Sequence, residues 1–435
     1  MNRIAKIKAG FAVSALALAV SPAMATDIRF DGFASFVAGQ VLDKDELVGD
    51  SFRGYDERID FQQNSLFALQ ARADLQEKLS ATAQIIAKGS EGYDAKFNWA
   101  YLTYELTDEV SLKAGRFRSP LFMYSDFLDV GYAYHWISPP DSVYDLSGFD
   151  SSDGVMAEYQ TDIGPITSLA TFGVYRTRTD LELGTLESEN SWTATWSLNF
   201  DWLTFRLVHS EGETSIRADA FDSLEEGLLA FNVSQSAIDD MLLESDLGTF
   251  NGVGISIDTG AYFAVAEYTE VAAGEAFSGD PSTSWYISGG ARFGKWTVYA
   301  TAETTEAGLK EDALNAVLTD FDQDVASKTT QQAQLGGAIA GLLAGAPVPG
   351  LTIADVPELQ ANYNLLGLAL RSAPDLRNGV LAIFSQTRTD QDIYSVGFRY
   401  NFHPSAAFKM EYMEMDDKVN DVKPAAIAIA IDLVY

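Results

Sequence analysis

Along nearly the whole chain after residue 26, apolar side chains alternate with small or polar ones in segments of about ten residues. In Trp192-Thr193-Ala194-Thr195-Trp196-Ser197-Leu198-Asn199-Phe200 every even-numbered side chain is apolar and every odd one polar. Successive side chains of a strand point to opposite faces, so such a segment presents one apolar and one polar surface. Tyr394, Val396, Phe398, Tyr400 and Phe402 form an equally clean stripe opposite Ser395, Arg399 and Asn401, and Trp285, Ile287, Ala291 and Phe293 oppose Tyr286, Ser288 and Arg292. The pattern predicts strands over 27–41, 64–77, 79–89, 96–107, 110–118, 154–163, 166–178 and 190–201. It continues over 203–214, 248–259, 261–271, 282–293, 295–306, 390–403, 406–417 and 425–435.

Every second connection is tight: Thr107-Asp108-Glu109, Ile163-Gly164-Pro165, Asp201-Trp202, Thr259-Gly260, Gly294-Lys295 and Phe402-His403-Pro404-Ser405. The others include all the long ones, 42–63, 119–153, 215–247 and 307–389. Short turns on one rim and long loops on the other are the signature of an all-β transmembrane barrel, with the short turns periplasmic and the long loops extracellular. After the first residues no apolar run reaches the length of a membrane helix, since Gly336 to Val348 is too short and is broken by glycines and Pro347. Lipid leaves unpaired backbone groups without water, so a membrane chain built of strands must close on itself. About 16 antiparallel strands are expected, an even number as closure requires. A further hairpin over 361–372 and 379–388 would raise the count to about 18, although Leu376 to Gln391 also reads as a helical loop. A soluble sandwich or solenoid would need neither an aromatic stripe on each strand nor the regular change from short to long connections.

The ends add an address. Arg3, Lys6 and Lys8 precede an uncharged run from Ala9 to Val20 and the small-x-small site Ala23-Met24-Ala25. This reads as a signal peptide over 1–25, with the mature chain, the barrel of 26–435, starting at Thr26. Losing those three cations makes the formal net charge of −33 more negative still. A chain so acidic is no partner for nucleic acid. Without cysteine there is no disulfide, thiolate metal site or Cys nucleophile. His135, His209 and His403 lie far apart, and the nucleophile, phosphate-loop and zinc-protease motifs are all missing, so neither an enzyme nor a cofactor or metal is implied. His209 and Ser210 are adjacent on a strand and so point to opposite faces.

Three features make the chain resemble the proteobacterial outer-membrane porins, trimeric barrels of 16 strands. Residues 426–435 alternate Ala with Ile and close on Tyr435, similar to the aromatic-ended terminal strand that the outer-membrane assembly machinery reads in that family, where Phe is commoner. Lys113-Ala114-Gly115-Arg116-Phe117-Arg118-Ser119-Pro120 resembles the Gly-Arg run that several porin families place before their long third loop. Here that loop would be 119–153, and the family folds it inward to narrow the pore. The resemblance spans about 26–306 and 390–435 and leaves 307–389 unexplained. It implies a homotrimer in the cell outer membrane through which small hydrophilic solutes and ions diffuse.

Charge placement suggests how such a pore would filter. By alternation Arg29, Arg72, Lys88, Lys113, Arg206, Arg292, Arg399 and Lys409 fall on the lumen face, as simple filling in ion pairs with Asp31, Asp74, Glu303 and Glu411 or as a selective ladder. A lipid-facing Arg near the membrane centre would cost about 2–4 kcal/mol. The third loop carries Asp126, Asp129, Asp141, Asp145, Asp150 and Asp153, and the last loop Asp416, Asp417 and Asp421. They would form a solvated rim or, through divalent cations, a bridge to lipopolysaccharide at the outer-membrane lipid surface. The constriction is therefore expected from Arg116 and Arg118 against Asp126 and Asp129, with loop acids outnumbering bases and favouring cations weakly. The competing expectations are a substrate-specific anion channel for dicarboxylates or phosphate-like solutes, carried by the lumen Arg ladder and the 307–389 loop, and a closed structural or adhesive barrel. Residues 215–247 repeat apolar positions at helical spacing and predict a short helix on the rim. The Ala- and Gly-rich stretch Gln331 to Leu351 inside 307–389 fits a cap, a plug or an external domain.

Overall fold

The computed structural model describes residues 27–144, 149, 151–181, 184–273, 281–385 and 387–435. The signal segment 1–25, Thr26, Asp145 and Asp150 lie outside them. The first eight strands are β1 (Asp27–Val41), β2 (Leu66–Gln76), β3 (Leu79–Lys88), β4 (Ala95–Glu105), β5 (Val110–Phe117), β6 (Ser152–Ile163), β7 (Ile166–Leu181) and β8 (Gly184–Asn199). The remaining eight are β9 (Leu203–Arg217), β10 (Asp246–Asp258), β11 (Tyr262–Ala273), β12 (Ser282–Phe293), β13 (Trp296–Ala307), β14 (Thr389–His403), β15 (Ala406–Asp417) and β16 (Ala425–Val434). Each pairs antiparallel with its neighbours, and β1 pairs with β16 to close the barrel.

The predicted alternation sets the wall. On β13 and β14, Trp296, Val298, Tyr394 and Val396 are exposed on the outer face, while Thr297, Thr301 and Ser395 are buried inside. At the short-turn rim Trp202, Tyr262, Phe293, Trp296 and Phe402 are exposed on the outside, the aromatic girdle expected at a membrane interface. Closure of the rim there needs turns of reversed hand, and Gly294, at φ 62°, adopts one with open space beyond its Cα.

The largest departures from the sequence pattern lie where the chain leaves the membrane. The β7–β8 hairpin runs to Leu181 and Gly184 rather than stopping near 178 and 190, because the residues of 177–180 and 187–190 are all polar and the alternation of apolar with polar fades. Its register shifts between Tyr175 and Thr177, and the pairing of β8 with β9 shifts between Glu189 and Trp192. Among its described residues the 307–389 stretch contains no added hairpin. It folds as two long antiparallel helices, Glu311–Leu343 and Val356–Ser385, and 361–372 lies inside the second. At 33 residues the first is about 50 Å long. The predicted loop helix is there, as Asp219–Ala230 followed by Gln235–Asp239. Rather than resting on the rim alone, it joins its apolar face to the helices of the other loop: Leu224, Leu228, Phe231, Ile238 and Met241 share one core with Val317, Phe321, Val380 and Phe384.

Candidate solute pathway

The chain between β5 and β6, hereafter loop 3, turns into the barrel and docks on the inner face of β9–β16 and β1. Its apolar side chains make the docking favourable, since Leu121, Phe122, Tyr134, Trp136 and Val143 pack against Val208, Phe250, Val265, Tyr286 and Tyr299. Polar ends are satisfied as they enter: Trp136 Nε1 donates to Thr301 Oγ1 at 2.9 Å, His135 Nε2 and Ser288 Oγ lie 2.9 Å apart, and Tyr144 donates to Glu267 at 2.6 Å. Wall cations hold the loop's carbonyls. Arg399 donates from Nη1 to the oxygens of Tyr132 and Tyr134 at 2.6 Å each, and Arg206 from Nη2 to that of Pro120 at 2.6 Å. Lys409 donates to the oxygens of Gly131 and Trp136 and pairs with Asp432 at 2.8 Å, with both charged side chains fully buried. Gly131 is required at this contact, since a Cβ would sit 2.5 Å from Asp432 Oδ1 and Ser35 Oγ.

The loop's other flank is set by electrostatics. Arg118 and Asp129 are buried together at 2.6 Å, and Lys88 reaches Asp129 at 3.2 Å from the end of β3. Burial opposes ionisation of Asp129, but Arg118 and Lys88 outweigh it and hold the carboxyl well below the usual range. Burial, aided by Lys409, Arg292 and Arg399, keeps the His135 imidazole far below its ordinary value and therefore neutral at physiological pH. Asp126 is exposed and, among the described residues, makes no ion pair. It lies close enough to Lys113 on β5 and to Arg206 on β9 to act electrostatically on both. Lys113 is itself paired with Glu158 at 2.7 Å. A cavity of about 520 Å³ opens beside Asp126, lined also by Gln70, Gln84 and Trp99.

The structure thus separates residues that the sequence grouped together. Arg116 is on the outer wall: it lies in register with Ala100 and Asp153, on the face of Leu112, Ala114 and Val155, and forks onto Asp153 at 2.9 and 2.8 Å. Parity along β5 puts it opposite Lys113, so Arg116 and Asp153 do not line the lumen. Arg118 and Asp129 are inside but spent on each other. Arg72 and Arg29 share Asp74 near the short-turn rim, and Arg292 forks onto Asp258 while lying 4.7 Å over the Phe263 ring. Lys409 pairs with Asp432 rather than with Glu411, which accepts from Tyr299 at 2.5 Å. Asp417 caps its own turn through Val419 and Asn420, and Asp416 pairs with Lys423. Tyr435 exchanges two backbone hydrogen bonds with Gly32 and lies beside Phe67 with ring centroids 6.1 Å apart, closing the barrel seam.

One inward residue carried no periodic signal. Between β1 and β2, Phe52 and Tyr55 bond to each other across a two-residue turn, with Arg53 and Gly54 at φ 52° and 78°. This is the mirror-image hairpin turn, and a non-glycine residue there is strained. Phe52 and Tyr55 are buried with Val37, Ile137, Met413 and Ala428, which drives the turn into the lumen. The Arg53 guanidinium then meets Asp141 at 2.5 Å and Glu303 at 3.6 Å. Burial disfavours its charge, yet those two acids raise it well above the ordinary value. Arg-Gly between two aromatics is the only trace of this in the sequence.

A family model described as Gram-negative porin matches residues 12–338. No curated protein matches the sequence. Among solved structures, the outer membrane channel DcaP of Acinetobacter baumannii aligns at a TM-score of 0.52 and 10% identity, covering 94% of this chain and 97% of that one. OmpF of Salmonella typhi, in complex with daunomycin, aligns at 0.51 and 11%, covering 94% and 98%. An anion-selective porin from Comamonas acidovorans aligns at 0.51 and 9%, covering 94% and 100%.

Proposed function

Since the chain belongs to the Gram-negative porin family and resides in the outer membrane, we propose that it is a diffusion channel for small hydrophilic solutes and ions with a weak preference for cations. The observation that carries this reading is the asymmetric seat of loop 3, which packs against the inner face of β9–β13 and leaves exposed Asp126 near enough to Lys113 to act on it electrostatically. Charges facing one another across a narrow passage create a transverse field that filters solutes. Unit charges about 4 Å apart interact by about 4 kcal/mol at an effective dielectric of 20, whereas those beyond about 8–10 Å are screened in physiological salt. The local acid therefore decides, rather than the formal charge of −33.

The same reading includes export through a cleaved signal peptide, assembly as a homotrimer, and recognition of the strand ending in Tyr435 by the assembly machinery. The acidic long-loop rim would meet lipopolysaccharide through divalent cations. An anion-specific channel draws on the lumen arginines, but Arg206 and Arg399 are bonded to loop carbonyls and Arg292 to Asp258. Planar-bilayer recording tests the proposal: stepwise conductance in KCl is expected, and folded protein that inserts without any conductance step would overturn it.

A further inference from the structure

A second cavity, of about 490 Å³, lies on the long-loop side of loop 3, between it and the inserted Arg53 turn. Small-molecule sites fall in the range of about 300–1,000 Å³. Its floor and far wall carry charge, but the charges cancel: Arg53 is matched by Asp141 and Glu303, and Lys88 with Arg118 by Asp129. Among the described residues a solute with net charge would find its opposite charges already paired and would have to break one of these pairs, which is costly. Neutral groups remain available. Among the described residues the side chains of Gln63 and Ser90 make no hydrogen bond, and Asn64 donates to Tyr55 at 3.1 Å, leaving its amide oxygen. Tyr134 and Tyr144 add apolar ring surface to the lining.

We propose that this vestibule is a binding subsite for neutral polyhydroxylated solutes, of mono- or disaccharide size, with Gln63, Asn64 and Ser90 as the hydrogen-bonding residues and the Arg53 turn as the wall that shapes it. The inference rests on the channel reading and deepens it, giving the pore a preferred substrate class. A polyol offers donors and acceptors in every direction and can replace water at both amides and hydroxyls without disturbing the ion pairs, whereas its ring faces suit the tyrosines. Lys88 and Ser90 stand at the end of β3 away from the tight β2–β3 turn, so the subsite opens toward the long-loop rim.

The test uses the full-length folded protein and sucrose. Single-channel current should fall saturably with half-block in the millimolar range, at lower sucrose from the long-loop side than from the other. Gln63→Ala and Ser90→Ala, each referred to its own open-channel current, should raise the half-blocking concentration about fivefold, the equivalent of one hydrogen bond. Saturation-transfer NMR on the detergent-folded barrel reads binding without conduction. Conductance with no sucrose saturation, with block tracking only bulk viscosity, overturns the subsite, as does saturable block by glutamate in place of sucrose. Sucrose binding by NMR in a barrel that never conducts supports the subsite and overturns the channel reading instead.

Discussion

Against β9–β16, loop 3 is held by half-buried Arg206 and Arg399 and anchored on the fully buried Lys409–Asp432 pair, while across the gap on β2–β8 cations and carboxylates stand partly exposed beside a loop acid that, among the described residues, has no ion-pair partner. Lys409 and Asp432 are completely buried, whereas Lys113 and Glu158 keep 21% and 26% of their side-chain surface. The two halves of one lumen therefore use the same residue types for different ends. A buried pair is an anchor, expensive to break and silent to passing ions, and an exposed charge is cheap to replace and felt by everything that passes.

Substitutions can separate the two halves. The largest effect is expected at Lys409→Ala, which leaves Asp432 buried without its partner and frees the oxygens of Gly131 and Trp136. It should cost about 3–5 kcal/mol in urea unfolding of the folded barrel and raise single-channel conductance as loop 3 loosens. A Lys409→Ala barrel as stable as the parent would remove the distinction between anchor and filter.

Acidification should release loop 3 in two stages, first from β9–β16 and then on its other flank. The folded-state value of His135 is depressed, so its contribution is complete above about pH 6.5 and declines as pH falls from there, since the unfolded chain takes up the proton first. The carboxyl of Asp129 is also depressed, and its contribution persists until pH falls below about 4. His135→Gln should flatten the dependence of unfolding midpoint on pH just below 6.5 and leave the acid limb in place. An unchanged slope in that variant would mean that His135 does not anchor the loop. Least affected should be Arg116→Ser. Its partner Asp153 is on the outer wall and both are about two-fifths exposed, so the loss should stay within about 1 kcal/mol and the reversal potential should not move.

Much of this was legible beforehand, for a reason that also explains the rest. On β12 and β14 each side chain's face is fixed by parity, so strand number, wall polarity and the lumen position of Arg292 and Arg399 followed from alternation. The same parity, counted from Lys113, places Arg116 outside; the resemblance of its Gly-Arg run to the one that porins place before their third loop drew it toward the constriction instead. Alternation is imposed by lipid, and beyond the membrane it lapses, which hid the outer ends of β7 and β8. The long helices were obscured by their Ala and Gly content in the 331–351 stretch, and their core depends on pairing loops that lie far apart in sequence, Leu228 with Val317 and Val380. The Arg53 turn has two aromatics and no period, and only the packing of Phe52 and Tyr55 shows that it points inward.

Reversal potential across a KCl gradient, measured for the parent and for Asp126→Asn side by side, addresses the central claim most directly. A small cation preference in the parent that disappears in Asp126→Asn, with unfolding unchanged, is the predicted result; an anion preference that survives the substitution would show that the wall, and not the loop acid, sets the filter.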